Sequence, residues 1–138
     1  MSAVGWRLVT KAQNAQLRIN AERQAGQGLY DLWPVVRLVG DAGTVLLTEL
    51  AADADTATGL IHLLGQRPKL GTVSLAELRD TSLVPVVVRT PRGYRIEPRL
   101  ERDPYWRATA PLSCYAKAAK QTGTISVATP QNDDLEVA

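Results

Sequence analysis

The sequence predicts a single α+β domain with an antiparallel sheet of four to six strands and two or three short helices. Its 138 residues fit one domain with one core. Two apolar, β-forming segments, 34–39 and 44–50, flank a Gly-Asp-Ala-Gly turn and predict a hairpin at the centre of the sheet. We assign residues 1–123 to the domain and expect the polar, acidic tail 124–138 to be disordered.

The other predicted strands are short and are bounded by turn residues. They cover residues 6–9, 58–64, 72–73, 83–90 and 94–97. The segment 58–64 is short enough for either a strand or a helical turn, and Gly59 favours the strand. A turn is predicted at 67–71. The last two segments flank Pro91-Arg92-Gly93 and predict a second hairpin. Pro85 restricts its first strand to an edge or a bulge, because proline has no N–H to donate.

The first predicted helix begins at Thr10 and ends at the glycines of residues 26–28. Thr10 and Gln13 form a capping box, in which each side chain satisfies the free N–H group of the other residue. Ala12, Ala15, Ile19 and Arg23 fall on one face of this helix, with Gln16 and Asn20 beside it. Because the apolar stripe on this face is thin, we expect the helix to lie on the surface.

Two further helices are predicted to be short. Ser74 and the glutamate three residues later form a second capping box, which opens a helix through about Asp80. The alanine-rich segment 112–122 predicts the last helix, with Ser113 as its cap and Gly123 as its end.

The composition excludes several classes of protein. A single cysteine, Cys114, excludes an internal disulfide and a cysteine-rich metal site. His62 is the only histidine, and few polar partners surround it in sequence, so we interpret both residues as structural. We predict no catalytic residues, no bound metal and no cofactor. The chain shows no secretory leader and no apolar segment near the ~20 residues of a membrane span, so we expect a cytoplasmic protein without membrane association.

Three segments, taken in order, resemble a known family. They are Trp33-Pro-Val-Val-Arg37 with Leu46–Leu50, Leu70–Leu78, and Leu100-Glu-Arg-Asp103 followed by Pro111-Leu-Ser113 and Tyr115-Ala116. Their order and spacing resemble the domain of unknown function 2958 family over about residues 8–125. The resemblance implies a small protein of plasmids, integrative elements and phages, often encoded near anti-restriction and conjugation genes. It implies no catalytic residue. Between Arg79 and Arg99 the chain departs from the family, which usually has a short Gly-Pro loop there.

The predicted binding surface lies on the second hairpin and the segment after it, where six arginines stand against three acidic residues. The predicted binding residues are Arg89, Arg92, Tyr94, Arg95, Arg99, Arg102, Tyr105 and Trp106. Alternating arginine and apolar residues suit an acidic protein partner or phosphate contacts with base stacking. They also suit a solvated hairpin whose charges guard an edge strand. The charged run at 100–104 has two interpretations as well, a structural tie through its arginine or part of a binding set.

The function expected from these observations is non-catalytic. The preferred hypothesis is a mobile-element protein that blocks a host defence complex, of CRISPR or restriction type, by occupying a protein surface. The target comes from the resemblance and not from the residues. The alternative is an accessory nucleic-acid-binding protein in plasmid or element maintenance. An enzyme ranks third, because one histidine and one cysteine leave few catalytic sets.

Overall fold

The computed structural model describes residues 8–27 and 31–125. Its elements in chain order are α1 Lys11–Gln27, β1 Val36–Gly40, β2 Gly43–Leu50, β3 Thr56–Leu63, β4 Lys69–Ser74, α2 Leu75–Leu83, β5 Pro85–Thr90, β6 Gly93–Pro98, β7 Glu101–Arg102 and α3 Leu112–Thr122. One antiparallel sheet has the strand order β4-β3-β2-β1-β7, and β5 pairs with β6 in a separate two-stranded sheet. The predicted fold class, a single α+β domain, is confirmed.

The first hairpin occupies the predicted position. In register, Gly40 faces Gly43 and Val36 faces Leu47, and β2 is the middle strand of the sheet. Gly43 has a φ of +138°, which favours glycine, and a Cβ there would lie 2.1 Å from the His62 carbonyl oxygen. The turn therefore requires glycine at this position both for its backbone conformation and for the close approach of β3.

Two apolar clusters cover opposite faces of the sheet. Alternate residues of the central strands point to opposite sides, so Val45 and Leu47 join one cluster and Leu46 joins the other. Leu17 of α1 and two leucines of α2 pack on the first face. Tyr115 and other residues of α3 pack on the second. The domain therefore has three layers, with α1 and α2 on one side of the sheet and α3 on the other.

Helix α1 begins with the predicted capping box, since the Gln13 N–H donates to Thr10 Oγ1 and the Thr10 N–H donates to Gln13 Oε1. The face that it buries is not the predicted one, because Leu17 and Asn20 are buried and Ile19 is half exposed. A β-bulge at Thr48 leaves that residue's carbonyl free, and Asn20 Nδ2 donates to it at 2.9 Å. Asn20 thus faces the core although it is polar, and a pattern of apolar residues does not predict such a position.

Other differences concern the ends of elements. Leu8 and Val9 form a bend and not the predicted edge strand, whose first residues lie outside the described part of the chain. Strand β4 begins inside the predicted turn at 67–71, and α2 continues three residues past Asp80. The segment 58–64 is a strand, as predicted. Most of the predicted tail, residues 126–138, lies outside the described residues, and the disorder prediction for it remains untested.

The cap of α3 also differs from the prediction. Pro111 occupies the N-cap position, and Ser113 lies inside the helix. The Asp31 carboxylate accepts hydrogen bonds from both the Ser113 N–H and the Ser113 hydroxyl, so the cap comes from 82 residues away in the chain. Gly123 ends the helix in the left-handed conformation, with φ +83°, as predicted. Ile125, beyond this end, is buried in the second cluster.

Candidate binding hairpin

The second hairpin, β5 and β6, extends from the domain between α2 and β7. Its strands pair from Pro85 opposite Pro98 to Thr90 opposite Gly93, with Pro91 and Arg92 in the turn, as predicted. No described residue between 84 and 98 belongs to either apolar cluster. The hairpin is therefore an addition to the core and not a part of it.

The register divides the hairpin into two faces. Cross-strand partners share a face, so one face carries Val87 opposite Ile96 and Arg89 opposite Tyr94. Of these, Val87 is 64% exposed, Ile96 72% and Tyr94 74%. We call this the outer face. The opposite face carries two valines of β5 and Glu97, all of them half-buried.

Four of the predicted arginines lie in four different environments. Arg89 is exposed on the outer face beside Tyr94, and the exposed Arg92 is in the turn. Arg95 lies on the opposite face, where its guanidinium is 2.5 Å from the Glu97 carboxylate. Arg99 lies beyond the hairpin, where its guanidinium is 3.4 Å from the Asp41 carboxylate. These arginines therefore do not form one continuous basic track.

The remaining predicted binding residues lie outside the hairpin. Arg102 is on β7, next to β1. Tyr105 is 92% exposed, with its N–H donated to the Asp103 carboxylate. Trp106 packs edge-on against Tyr115 with ring centroids 5.8 Å apart, so much of its surface serves the second apolar cluster.

Within the charged run at 100–104, Asp103 makes a structural tie to Arg37. Arg37 on β1 is buried and its Nη1 is 2.6 Å from the Asp103 Oδ2 atom. The Asp103 N–H also donates to the Arg37 carbonyl oxygen at 2.9 Å. This pair extends the β1–β7 pairing and fixes the chain where it returns from the hairpin.

The acidic loop before β3 has a structural role. Asp53 accepts hydrogen bonds from the Thr56 hydroxyl, the Thr56 N–H and the Asp55 N–H, which together lower the pKa of its carboxyl to about 2. Asp55 accepts from the Ser74 hydroxyl and the Ala76 N–H at the start of α2. Ser74 in turn accepts from the Glu77 N–H, as predicted for its capping box. These carboxylates are occupied by the loop and by α2.

The cleft beside the start of α1 does not gather catalytic groups from the described residues. A cleft of about 360 Å³ beside the start of α1 is lined by Lys11, Asn14 and Arg79 together with apolar residues, and its lining contains no carboxylate, histidine or cysteine. His62 and Cys114 are half-buried. Within residues 8–27 and 31–125, no three His, Cys, Asp or Glu residues cluster as metal ligands would.

Two exposed apolar residues of the outer face, Val87 and Ile96, were not among the predicted binding residues. The sequence carries a signal for them, because counting in steps of two from the Pro91-Arg92 turn places them opposite each other and beside Tyr94. The arginines drew attention to the hairpin, but the alternation pattern identifies which side chains share its exposed face.

The fold and this surface define a small α+β domain that carries an exposed hairpin. Residues 8–126 match the family described as Protein of unknown function (DUF2958), and the chain belongs to that family. No curated protein and no solved structure matches the chain. None of the helices in the described part of the chain is both long and apolar enough to cross a membrane.

Proposed function

We propose that this chain is a small, non-catalytic binding protein of a mobile genetic element that inhibits a host defence system, of CRISPR or restriction type, by covering a protein surface. The observation that supports binding is the outer face of the hairpin, where Val87, Tyr94 and Ile96 are each more than 60% exposed. Contiguous exposed apolar surface of this kind marks interaction sites in soluble proteins. The choice of a defence target rests on the mobile-element setting that the family resemblance implies.

The arrangement of charge favours a protein partner over nucleic acid. Glu97 pairs with Arg95, and Asp41 pairs with Arg99, so two of the arginines that phosphates would require already have carboxylate partners. Exposed Arg89 and Arg92 remain at the tip, where arginine is favoured at protein interfaces. Charged residues at the edge of an interface set the orientation of the partner and the rate of association, whereas the apolar face supplies the affinity.

Removal of the hairpin tests the proposal. Pro85 and Pro98 face each other in register, so a two-residue Asn-Gly turn can replace residues 86–97 without moving the ends of the chain. We expect the full chain to co-purify a defence complex from a host that carries one, and to restore transformation by a plasmid that this complex attacks. The shortened chain is expected to fold and to lose both effects. Retention of both effects would contradict the proposal.

A second pair of variants tests whether catalysis is involved. His62→Ala and Cys114→Ala remove the single histidine and the single cysteine. Because inhibition by occlusion needs no proton transfer or nucleophile, both variants are expected to protect the plasmid as well as the parent chain, provided that their melting temperatures are unchanged. Loss of protection in a stable His62→Ala variant would favour an enzyme.

The alternative function is accessory nucleic-acid binding in plasmid or element maintenance. Arg89 beside the exposed ring of Tyr94 is the feature that favours it, since this pair suits a phosphate contact and base stacking. Four phosphate contacts would give a log–log slope of affinity against salt of about −3 to −4 on duplex DNA. Titration of duplex and single strands at two salt concentrations distinguishes the two functions. Submicromolar, steeply salt-dependent binding would favour the alternative.

A further inference from the structure

We infer that the hairpin recognises its partner with the outer face, and that the complementary site is an apolar strip on a protein with acidic side chains at the end that receives the hairpin tip. This inference rests on the proposed binding function and adds the chemistry of the partner. It assigns the binding energy to Val87, Ile96 and Tyr94, and assigns orientation to Arg89 and Arg92.

The two faces of the hairpin differ in the exposure of their apolar residues. Val87 and Ile96 form one cross-strand pair, and Val88 and Arg95 form the next one on the opposite face. Val87 and Ile96 are 64% and 72% exposed, whereas Val88 is half-buried. Arg95 is 63% exposed but is paired with Glu97. An isolated two-stranded hairpin is only marginally stable in water, and an apolar face covered by a partner supplies the packing that it lacks.

Charge is distributed unevenly along the outer face. Towards the domain the face itself is uncharged; half-exposed Leu83 and Val84 precede it in the chain, and Arg99, which follows it, is paired with Asp41. Towards the tip it carries Arg89, with Arg92 in the turn beyond. Neither arginine side chain forms an ion pair with a carboxylate within the described residues. A complementary surface is therefore apolar along most of its length and acidic at one end.

The charge pattern of the outer face disfavours a second copy of the chain as its occupant. None of the six residues of the outer face, at positions 85, 87, 89, 94, 96 and 98, is acidic. Two outer faces packed together would leave Arg89 without a counter-charge, whether the strands ran parallel or antiparallel. Burying an unpaired guanidinium is costly, so the charge pattern favours a different protein.

The test uses displayed random peptides as probes of the full chain. We expect selected peptides to combine apolar side chains with Asp or Glu towards one end. The double variant Val87→Thr/Ile96→Thr keeps β-branched shape on exposed positions and is expected to bind these peptides at least about tenfold more weakly. The matched control Val88→Thr changes the opposite face and is expected to stay within about twofold of the parent chain.

The outcomes separate this inference from the proposed function. If the selected peptides bind the chain in which Asn-Gly replaces residues 86–97 as tightly as they bind the parent chain, the hairpin is not the recognition element. That result would contradict both the inference and the proposed function. If peptide binding is lost in that chain but retained in Val87→Thr/Ile96→Thr, the assignment of binding to the outer face is wrong, while the proposed function stands. Selected peptides without acidic residues would overturn the charge assignment. Sedimentation of the parent chain and of the double variant provides the last control. If the parent chain self-associates and the double variant does not, a second copy occupies the outer face and the inference is overturned.

Discussion

The ion pair between Arg37 and Asp103 gives an asymmetric prediction about stability. Arg37 is 6% exposed and Asp103 25% exposed, with Nη1 and Oδ2 separated by 2.6 Å. The substitution Asp103→Asn removes the charge and leaves an oxygen that still accepts from the Tyr105 N–H. Removing one partner of a fully buried pair costs about 3–5 kcal/mol. Because Asp103 is partly exposed, we expect Asp103→Asn to lower the free energy of unfolding by about 2 kcal/mol.

The reverse substitution is expected to be milder. Arg37→Met keeps an unbranched apolar stem in the same space and removes the buried charge. It also removes an Nε that has no hydrogen-bond partner among the described residues. It leaves Asp103 partly accessible to water, so we expect a loss below about 1 kcal/mol. The double variant is expected to regain most of the stability lost by Asp103→Asn, because no unpaired guanidinium remains.

Urea denaturation of the four chains measures this cycle. The pair is confirmed as a buried-charge tie if Asp103→Asn is the least stable of the four and the double variant recovers. A free energy of unfolding for Asp103→Asn within about 0.5 kcal/mol of that of the parent chain would contradict the prediction. So would a larger loss of stability in Arg37→Met than in Asp103→Asn. The slope of unfolding against urea serves as the control, since an unchanged slope shows that the denatured state is not altered.

Three further changes test other parts of the fold. Gly59→Ala places a Cβ 1.9 Å from the Leu46 carbonyl oxygen and should cost about 2–4 kcal/mol in urea denaturation, so an unchanged midpoint would contradict the β2–β3 register. Burial raises the pKa of the Glu49 carboxyl. Ionisation of this group therefore lowers the stability of the fold as the pH rises through the ordinary range of glutamate. Glu49→Gln should raise the melting temperature at neutral pH but not at low pH. Hydrogen bonds lower the pKa of the Asp53 carboxyl from its ordinary value of 3.8 to about 2. The ionised carboxylate therefore stabilises the fold above pH 3.8, and this contribution is lost as the pH falls towards about 2. Asp53→Asn should flatten the dependence of melting temperature on pH in that range.

The hairpins could be predicted from the sequence because their signals are local. A turn rich in glycine and a period-two apolar pattern specify β1–β2, and Pro91-Arg92-Gly93 does the same for β5–β6. The capping box at Thr10 and the glycine end of α3 are also properties of short segments.

The missed features depend on residues that are distant in sequence. Strand β7 has two charged residues and no strand signal of its own, and it exists because it pairs with β1. The cap of α3 comes from Asp31, which no pattern near Ser113 contains. The buried face of α1 was wrongly predicted because Asn20 is satisfied by a carbonyl that the bulge at Thr48 releases. Each case requires tertiary pairing, which period and propensity do not encode.

The candidate site was only half predictable for the same reason. Its position and chemistry follow from the arginines and the Pro-Arg-Gly turn, and its two faces follow from the register of the hairpin. Which face stays exposed depends on how the hairpin lies against the rest of the domain, and that is a property of the assembled fold. The sequence therefore identified Arg89 and Tyr94 as neighbours of interest but not Val87 and Ile96.

The hairpin is anchored to the core of the domain at both of its ends. On one side, Leu75 and Leu78 of α2 belong to the first apolar cluster. On the other, Leu100 lies in the same cluster, and the Arg37–Asp103 pair joins β7 to the central sheet. Because both ends are fixed by the core while the hairpin contributes nothing to it, changes in hairpin sequence or length leave the main stabilising contacts intact. Under the proposed function, a change in specificity for a partner therefore requires no change of fold.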